Sequence, residues 1–591
     1  MRDRIIEAET AIPQQNILAH LERILASKSF KDSPRLKDIL SFIVRETLNG
    51  RGSRIKEYTI SIDVYGTGAS HDSSRQSIIR TAVGRLRAKL KSYYETEALD
   101  ETVRIEIPRG EYIPIFAKQC TTKSADPDSE SCAVLPFRDF RGDDPASQLA
   151  DNVTDELIHR LTYVRGLKVI SRTSSFAFRN ASFDVAEMAH RLGVRRIVEG
   201  SLRRVAKETQ LAVGVIDARD GLHIWSGTFS APHRNILDLQ HRMANAVIRA
   251  LRPMAAPAQI RPGKSNLAAW SLYRQGRFHA EKRTAAGWAK SIECFQQALK
   301  KDRDYALAHA GIADAHILLA NFGEMRSSAA MSIARKSAEA ALAIDPKLAE
   351  AHTSMAAVKM FTDWDWTGAE QEIQLALQLS PSYSQAHHWY SRFLSHHLRA
   401  VEAKAEMELA LSLDPVSPGT HASAGMVAFE ARRFKDALKH FQDALDLAEN
   451  HPFALWQMGL TEIELGRPSV GLKLMQRARK SIPASCRLWS CIGYAHAKAG
   501  NVEQALQWLK RLQQTTRTRY VSPLDIALIY AGLGQLDQVF ALIEQAIGER
   551  DNFLSWLSSA PYWASLHGDA RFRATAKLIG LPLPEVSFQN S

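Results

Sequence analysis

Cysteine is scarce in this chain. Five residues (Cys120, Cys132, Cys294, Cys486 and Cys491) are scattered through 591, with no CxxC pair. That excludes a disulfide framework and a cysteine-based metal knuckle. Long apolar runs are missing as well. No stretch reaches the roughly 18 apolar residues a membrane span needs. The N-terminus, MRDRIIEAETAIPQQN, has no apolar segment of the secretory kind. Acidic residues are slightly short, 64 against 76 Lys and Arg, for a net charge of +12. Spread evenly, that bias says little about nucleic acid. At 45% hydrophobic and 24% charged, the composition excludes collagen-like, mucin-like and wholly disordered chains. The expected setting is soluble and cytoplasmic, without a membrane. At roughly 150 residues per domain the length implies about four units.

Texture divides the chain. Residues 1–118 mix helical periodicity with a strand-like end, and 119–131 form a polar linker, within AKQCTTKSADPDSES. Residues 132–253 alternate β-rich runs with helices, and 254–267 form a second linker rich in Pro, Ala and Gly. From 268 to 580 the pattern is helical and repeats, leaving 581–591 as a tail. Pro381, Pro415 and Pro483 stand one or two steps of 34 apart, with Pro346 one step of 35 before them. Gly425, Gly459 and Gly493 keep the period in a first helix; Gly466, Gly500 and Gly534 keep it in the turn. Ala437, Phe441 and Ala444 recur two copies later as Ala505, Leu509 and Leu512. Small residues let paired helices approach, the turn glycine takes a conformation other residues resist, and proline opens the next helix. An insertion near 321–328, and Arg303 in place of proline, set the earliest pair apart. The pattern resembles the tetratricopeptide repeat in seven or eight copies, which implies a superhelix holding a peptide or partner protein on its concave face.

The N-terminal region places apolar residues at helical spacing: Ile17, Leu18, Leu21 and Leu25, then Leu36, Ile39, Leu40, Ile43 and Val44. Asn49-Gly50 ends the second helix. A longer helix opens with the capping-box spacing of Ser73 and Gln76. Ile79, Val83, Leu86, Leu90 and Tyr93 form its apolar stripe. Arg80, Gly84, Arg87 and Lys91 line another face, with Thr81, Arg85 and Lys89 beside them. From Arg75 to Lys91 six residues are basic and none acidic. A helix of this width fits a major groove, where arginine bridges guanine or phosphate with two hydrogen bonds. The strand-like Val103–Ile107 and Tyr112–Phe116 flank the turn Pro108-Arg109-Gly110.

RTAVGRLRAKL followed by VRIEIPRGEYIPI resembles the OmpR/CadC-type winged helix of bacterial transcription regulators. The resemblance implies duplex DNA as partner, with Arg75, Arg80, Thr81, Gly84, Arg85, Arg87 and Lys91 at groove and phosphates and Arg109 in the wing. Leu86 and Leu90 become core. Glu111 departs from the pattern and weakens the wing contact.

In the middle region, AVLPF, VEGSLRR and IDARDGLHIWSGTF resemble the amino-terminal domain of TolB-like proteins, a small α/β unit. Such units accompany winged helices and tetratricopeptide repeats in bacterial proteins, often with a membrane span that this sequence lacks. Asp217, Asp220 and His223 suit a polar hairpin turn, and no metal site is assigned.

Some proteins of this three-part architecture carry the label adenylate cyclase. Such an enzyme needs two metal-binding aspartates on adjacent strands, with ATP and a divalent metal. Asp139 follows a strand but has no matching partner, and Pro136 interrupts that strand. Gly263-Lys264-Ser265 ends like a phosphate loop without its first glycine. No G-x-S-x-G or H-E-x-x-H occurs. Catalytic residues are therefore unassigned and no cofactor is expected. The fold class read here is multidomain: a winged helix, a small α/β domain, then an all-α repeat superhelix. The corresponding function is a DNA-binding regulator with a repeat array for protein partners. A cyclase is the alternative and a pure scaffold the third reading; the oligomeric state is open.

Overall fold

The computed structural model describes residues 14–31, 33–65, 73–96, 103–107, 112–118, 130–139, 146–179, 183–252, 266–281 and 284–584. It divides into two compact units, Met1–Asp126 and Pro127–Ser591.

In the first unit, helices α1 (Gln14–Ala26), α2 (Pro34–Leu48), α3 (Glu57–Tyr65) and α4 (Ser73–Thr96) precede two antiparallel strands. These are β1 (Val103–Glu106) and β2 (Ile115–Lys118), with Val103 opposite Lys118. Pro34 opens α2, where a missing N–H costs nothing. Gly50, at φ +73°, turns the chain after it. The apolar stripes converge on one core of Ile39, Leu40, Ile43 and Val44 from α2, Ile79, Val83, Leu86 and Leu90 from α4, and Ile105 from β1. On α1 the buried stripe is Ile17, Leu21 and Ile24, while Leu18 faces outward and Leu25 is only half-buried. Tyr94 Oη accepts the Ile105 amide at 2.8 Å and lies 2.9 Å from His20 Nε2, fastening the end of α4 to β1 and α1.

The second unit begins with β3 (Ser131–Val134), β4 (Arg138–Asp139), α5 (Ala146–Thr162), β5 (Lys168–Val169), α6 (Arg172–Phe176) and α7 (Val185–Leu192). It continues with β6 (Arg196–Val205), β7 (Glu208–Asp217), β8 (Leu222–Pro232) and α8 (Ile236–Leu251). The sheet order is β5-β3-β6-β7-β8, parallel from β5 to β6 and antiparallel from β6 to β8; β4 pairs with β6. Alternation along the strands sorts the two faces: Cys132, Val134 and Val198 pack with α5 and α8, Ala133 and Ile197 with α7. The β-rich run from Leu167 to Ile170 goes no further because Ser171 caps α6, its hydroxyl accepting the Ser174 amide.

Eight antiparallel helix pairs follow among the described residues: α9 (Leu267–Ala280) with α10 (Ala285–Lys301), α11 (Ala306–Asn321) with α12 (Ser327–Ile344), α13 (Ala349–Val358) with α14 (Trp366–Leu379), and α15 (Ser384–His396) with α16 (Ala400–Leu413). Then come α17 (Pro418–Glu430) with α18 (Phe434–Leu447), α19 (Pro452–Glu464) with α20 (Pro468–Ser481), α21 (Cys486–Lys498) with α22 (Val502–Thr515), and α23 (Pro523–Gly532) with α24 (Leu536–Glu549). They form a superhelix of tetratricopeptide-like pairs. Gly425 shows why the first helix needs small residues: a Cβ there would lie 2.4 Å from the Phe441 ring.

The turn within the pairs carries a second regularity. Gly466, Gly500 and Gly534 have φ of +77°, +78° and +74°, and Trp364, Leu398 and Arg432 take φ of +56°, +59° and +56° at the same 34-residue step. Six successive turns thus use the left-handed conformation, three of them without glycine and against a steric cost of roughly 1–2 kcal/mol. Replacing the partly exposed Leu398 by Gly should stabilise the fold by about 1 kcal/mol in urea unfolding.

A third regularity lies in the loops between pairs. His352, His387 and His421 donate from Nε2 to the carbonyls of Pro346, Pro381 and Pro415 at 3.0, 3.0 and 2.8 Å. Trp489 serves Pro483 in the same way at 2.9 Å, and His309 reaches the Arg303 carbonyl at 3.3 Å. This bond uses the carbonyl, which every residue has, so Arg303 fills the proline position without losing it.

Beyond α24 the repeat ends. The expected array continues to 580, but residues 552–566 form two short 3-10 turns, Asn552–Trp556 and Pro561–Leu566, before α25 (Ala570–Ile579). This segment reaches back to the early pairs. Asn552 bonds Ser327 and Asn321, Trp556 stacks on Phe361 at 5.8 Å, and the Trp366 indole donates to the Ile579 carbonyl at 2.7 Å. Among the described residues no helix is long and apolar enough to cross a membrane.

Candidate functional site

The basic helix α4 is built as the sequence implies, one face buried and another outward. Opposite Val83, Leu86 and Leu90, the residues Thr81, Gly84 and Arg85 are exposed and share a face at i, i+3 and i+4. Gly84 has nothing within 4 Å of a would-be Cβ, so the helix backbone is bare there. A second surface can approach it closely.

The other cations of α4 divide by role. Arg87 is half-buried, and its Nε donates to the Ile107 carbonyl at 2.9 Å, holding the end of the strand segment against the helix. Lys89 Nζ donates to the Ser29 carbonyl at 2.6 Å and sits 5.9 Å from the Phe30 ring centre. Arg75, Arg80 and Lys91 belong to α4, with side chains outside the described residues; Arg109 and Glu111 lie outside them altogether. Of the expected groove residues, the structure therefore groups Thr81, Gly84 and Arg85 on one exposed edge, with Arg87 turned toward its own domain.

In the second unit the α/β domain is docked on the repeat array through buried polar contacts. Arg274 of α9 forms ion pairs with both Asp155 and Glu156 of α5, and Arg172 pairs with Glu281. Burial alone would raise the Asp155 and Glu156 carboxyls. The guanidiniums of Arg274 with Arg172, and of Arg274 with Arg160, outweigh burial and hold each at about 2. Glu350 at the start of α13 takes His159 Nε2 at 2.8 Å and the Tyr163 hydroxyl at 2.7 Å, and is likewise held at about 2 despite burial.

The remaining contacts use the loops between helix pairs. The Ser382 hydroxyl donates to the Leu167 carbonyl at 2.8 Å and accepts the Val169 amide at 3.2 Å. Asp414 accepts the hydroxyls of Ser171 and Ser174, the latter at 2.7 Å. The Pro381 and Pro415 loops that phase the repeat thus also carry the domain, and the first turn of α13, just after the Pro346 loop, does so through Ala349 and Glu350. Sequence reasoning missed this junction. Only the structure reveals it: Val153 through Ile158 of α5 are all buried, the acidic Asp155 and Glu156 included, whereas in the sequence these two read as the solvent face of an amphipathic helix.

The hairpin residues weighed earlier are engaged locally. Asp217 pairs with Arg195 at 3.2 Å and Arg219 at 2.9 Å, Asp220 accepts the Leu222 amide at 2.9 Å, and His223 lies 4.0 Å from Glu199. Among the described residues one group of three metal-type side chains comes together elsewhere, His421, His440 and Asp443. Cys132, Cys294, Cys486 and Cys491 are buried and unpaired with one another.

Comparison with known proteins adds a regulatory connection. Residues 128–246 match the HilA/YgeH-like transcriptional regulator, second domain. A protein of Rhizobium meliloti (strain 1021) bearing the provisional name adenylate cyclase 3 is 31% identical over 190 residues, 32% of this chain and 32% of its own length. The match therefore spans about a third of that curated relative. Among solved structures, Pseudomonas aeruginosa PilF is 19% identical over 37% of this chain and 96% of its own, at TM-score 0.27. The human IFIT1 dimer with m7Gppp-AAAA is 12% identical over 53% of this chain and 77% of its own, at TM-score 0.38. The matched regulator domain supports a regulatory role for the chain.

Proposed function

We propose that the chain is a transcription regulator whose N-terminal unit is a winged helix that binds duplex DNA through α4. The observation that carries this reading is the exposed Thr81–Gly84–Arg85 edge, backed by a buried stripe and followed by an antiparallel strand pair. A rigid helix with a bare backbone point beside an outward arginine suits a groove wall, and arginine reads guanine or grips phosphate there. The regulator match at 128–246 supports the same role from the neighbouring unit. Arg75, Arg80, Lys91 and Arg109 are proposed as phosphate and wing contacts on the strength of the winged-helix resemblance.

The test is a mobility shift of a randomised duplex pool by the full chain across a salt series. Binding should weaken steeply with salt, because phosphate neutralisation releases counterions. Arg85→Ala should lower affinity by about 1–3 kcal/mol. Arg87→Ala should also weaken binding, and thermal melting should show that it loosens the first unit, since its bond to Ile107 is structural. Unchanged affinity in Arg85→Ala would remove α4 from the groove. Cyclic AMP made by the purified chain from ATP with a divalent metal, without DNA binding, would replace this reading by the cyclase suggested by the Rhizobium relative's name.

The repeat array is proposed to receive the regulator's second partner on its inner surface. The C-terminal segment packs against the early pairs through Asn552 and Trp556, so a partner there would meet the chain's own residues as well.

A further inference from the structure

One copy of the repeat breaks a pairing that its two predecessors keep. The histidines that serve the loops between pairs also use their second nitrogen. His352 and His387 donate from Nδ1 to the carboxylates of Glu372 and Glu406, on the second helix of each pair, at 2.6 and 2.7 Å. Glu372 and Glu406 stand 34 apart, and the next step of 34 falls on His440. His421 therefore has an imidazole at the position where its predecessors have a carboxylate. Its Nε2 still donates to the Pro415 carbonyl at 2.8 Å, which leaves Nδ1 of the neutral ring as a bare lone pair.

Asp443 completes the group. It lies three residues after His440 on α18, so the two share a face, and His421 comes from α17. One ligand-type atom from each of the three lies within 4.8 Å of the others. Asp443 Oδ2 is 3.9 Å from Nδ1 of His421 and 3.9 Å from Nδ1 of His440, beyond hydrogen-bond reach. Neither Nδ1 has a hydrogen-bond partner among the described residues. A bridging water would need gaps of about 5.6 Å, so these lone pairs stay dry although the cluster lies near the surface. The His440 and Asp443 side chains are 30% and 38% exposed, which gives a small ion a way in from solvent.

We propose that His421 Nδ1, His440 Nδ1 and the Asp443 carboxylate bind one divalent transition-metal ion of the zinc class. Bonds of about 2.0–2.2 Å in a tetrahedron set ligand atoms roughly 3.3 Å apart, so the ion draws the three groups together by about half an ångström. Two imidazoles with one carboxylate suit zinc and its neighbours, whereas magnesium and calcium take oxygen ligands. The bond from His421 Nε2 to the Pro415 carbonyl is the outer contact by which metal-binding histidines fix ring and tautomer. The ion would clamp α17 to α18 beside the loop where Asp414 holds Ser171 and Ser174. The proposal does not depend on the DNA reading, since binding is measured on the chain itself.

The test is calorimetric titration of the full chain, stripped of metal by a chelator, with zinc chloride at neutral pH. One tight equivalent is expected, and it should raise the melting temperature because the ion binds the folded chain. Cobalt in its place should give the spectrum of tetrahedral coordination without a thiolate charge-transfer band, which sets the buried cysteines aside. His440→Gln removes one ligand and offers His421 Nδ1 an amide donor. It should fold as before and bind zinc at least about tenfold more weakly. Asp443→Asn, at the most exposed of the three positions, should do the same and carries the comparison should His440→Gln melt early. A tight equivalent that survives both substitutions, a thiolate band, or no tight equivalent in the unaltered chain would overturn the proposal. So would displacement of zinc by an equal concentration of magnesium, which would mark a plain carboxylate site.

Discussion

Replacing Arg274 by Met should destabilise the second unit by about 3–5 kcal/mol, read as a shift in the urea midpoint at constant slope. Arg274 is almost fully buried and is the shared counter-ion of Asp155 and Glu156, adjacent carboxylates on one helix. Methionine fills much of the arginine stem's volume, so the loss is electrostatic rather than a cavity. Two like charges would then sit in a place without water, with Arg160 and Arg172 left as flanking partners. The combined change Arg274→Met with Asp155→Asn and Glu156→Gln should recover most of the loss. That recovery separates an uncompensated charge from a fold that needs the arginine for shape. A midpoint unmoved by Arg274→Met would show that the α/β domain is not held by this contact.

Acid should release the same junction. Asp155, Glu156 and Glu350 have folded-state pKa values near 2, below their ordinary 3.8, 4.5 and 4.5. A carboxyl depressed by folding stabilises the native state above its ordinary value and loses that contribution as pH falls toward the folded value. The window therefore runs from about pH 4.5 down to about pH 2, and each carboxyl contributes about 2–4 kcal/mol. Tryptophan fluorescence of the full chain, followed through that window, should show a cooperative loss. Glu350→Gln should make the loss shallower and leave a less stable protein at pH 7, because His159 and Tyr163 then face an amide instead of a carboxylate. Stability that does not change between pH 4.5 and 2 would contradict the depressed carboxyls.

Local features were legible in the sequence, and distant pairings were not. The period of 34 located the helix pairs because every copy needs its close approaches and its turn at the same positions, Gly425 over Phe441 and Gly466 at positive φ. The stripe Ile79, Val83, Leu86 and Leu90 marked the buried face of α4 because a helix shows its core side at fixed spacing. That spacing could not tell which basic residues point away: Arg87 and Lys89 lie on the flank and bend back to the carbonyls of Ile107 and Ser29. The left-handed turns at Trp364, Leu398 and Arg432 were hidden because these residue types do not announce positive φ. The junction was hidden for a different reason. Ser382 and Asp414 sit in loops and Glu350 in the first turn of α13, where polar residues are ordinary, and their partners stand about 190 to 240 positions away in the chain. Nothing local distinguishes a loop serine facing water from one bonded to another domain. The aromatic run after residue 551 was absorbed into the repeat for want of a competing period, whereas its rings line an interior.

A solenoid whose pairs touch only their neighbours stretches and recoils like a spring. Here the first turn of α13 and the loops at Pro381 and Pro415 are bolted to one sheet-backed block, as a splint fixes three vertebrae. The coil's rise and turn over those pairs are thereby set, and any breathing is pushed to the pairs on either side. A mechanical pull on the two ends of the second unit should accordingly lengthen it in unequal steps, with the splinted stretch last to give way.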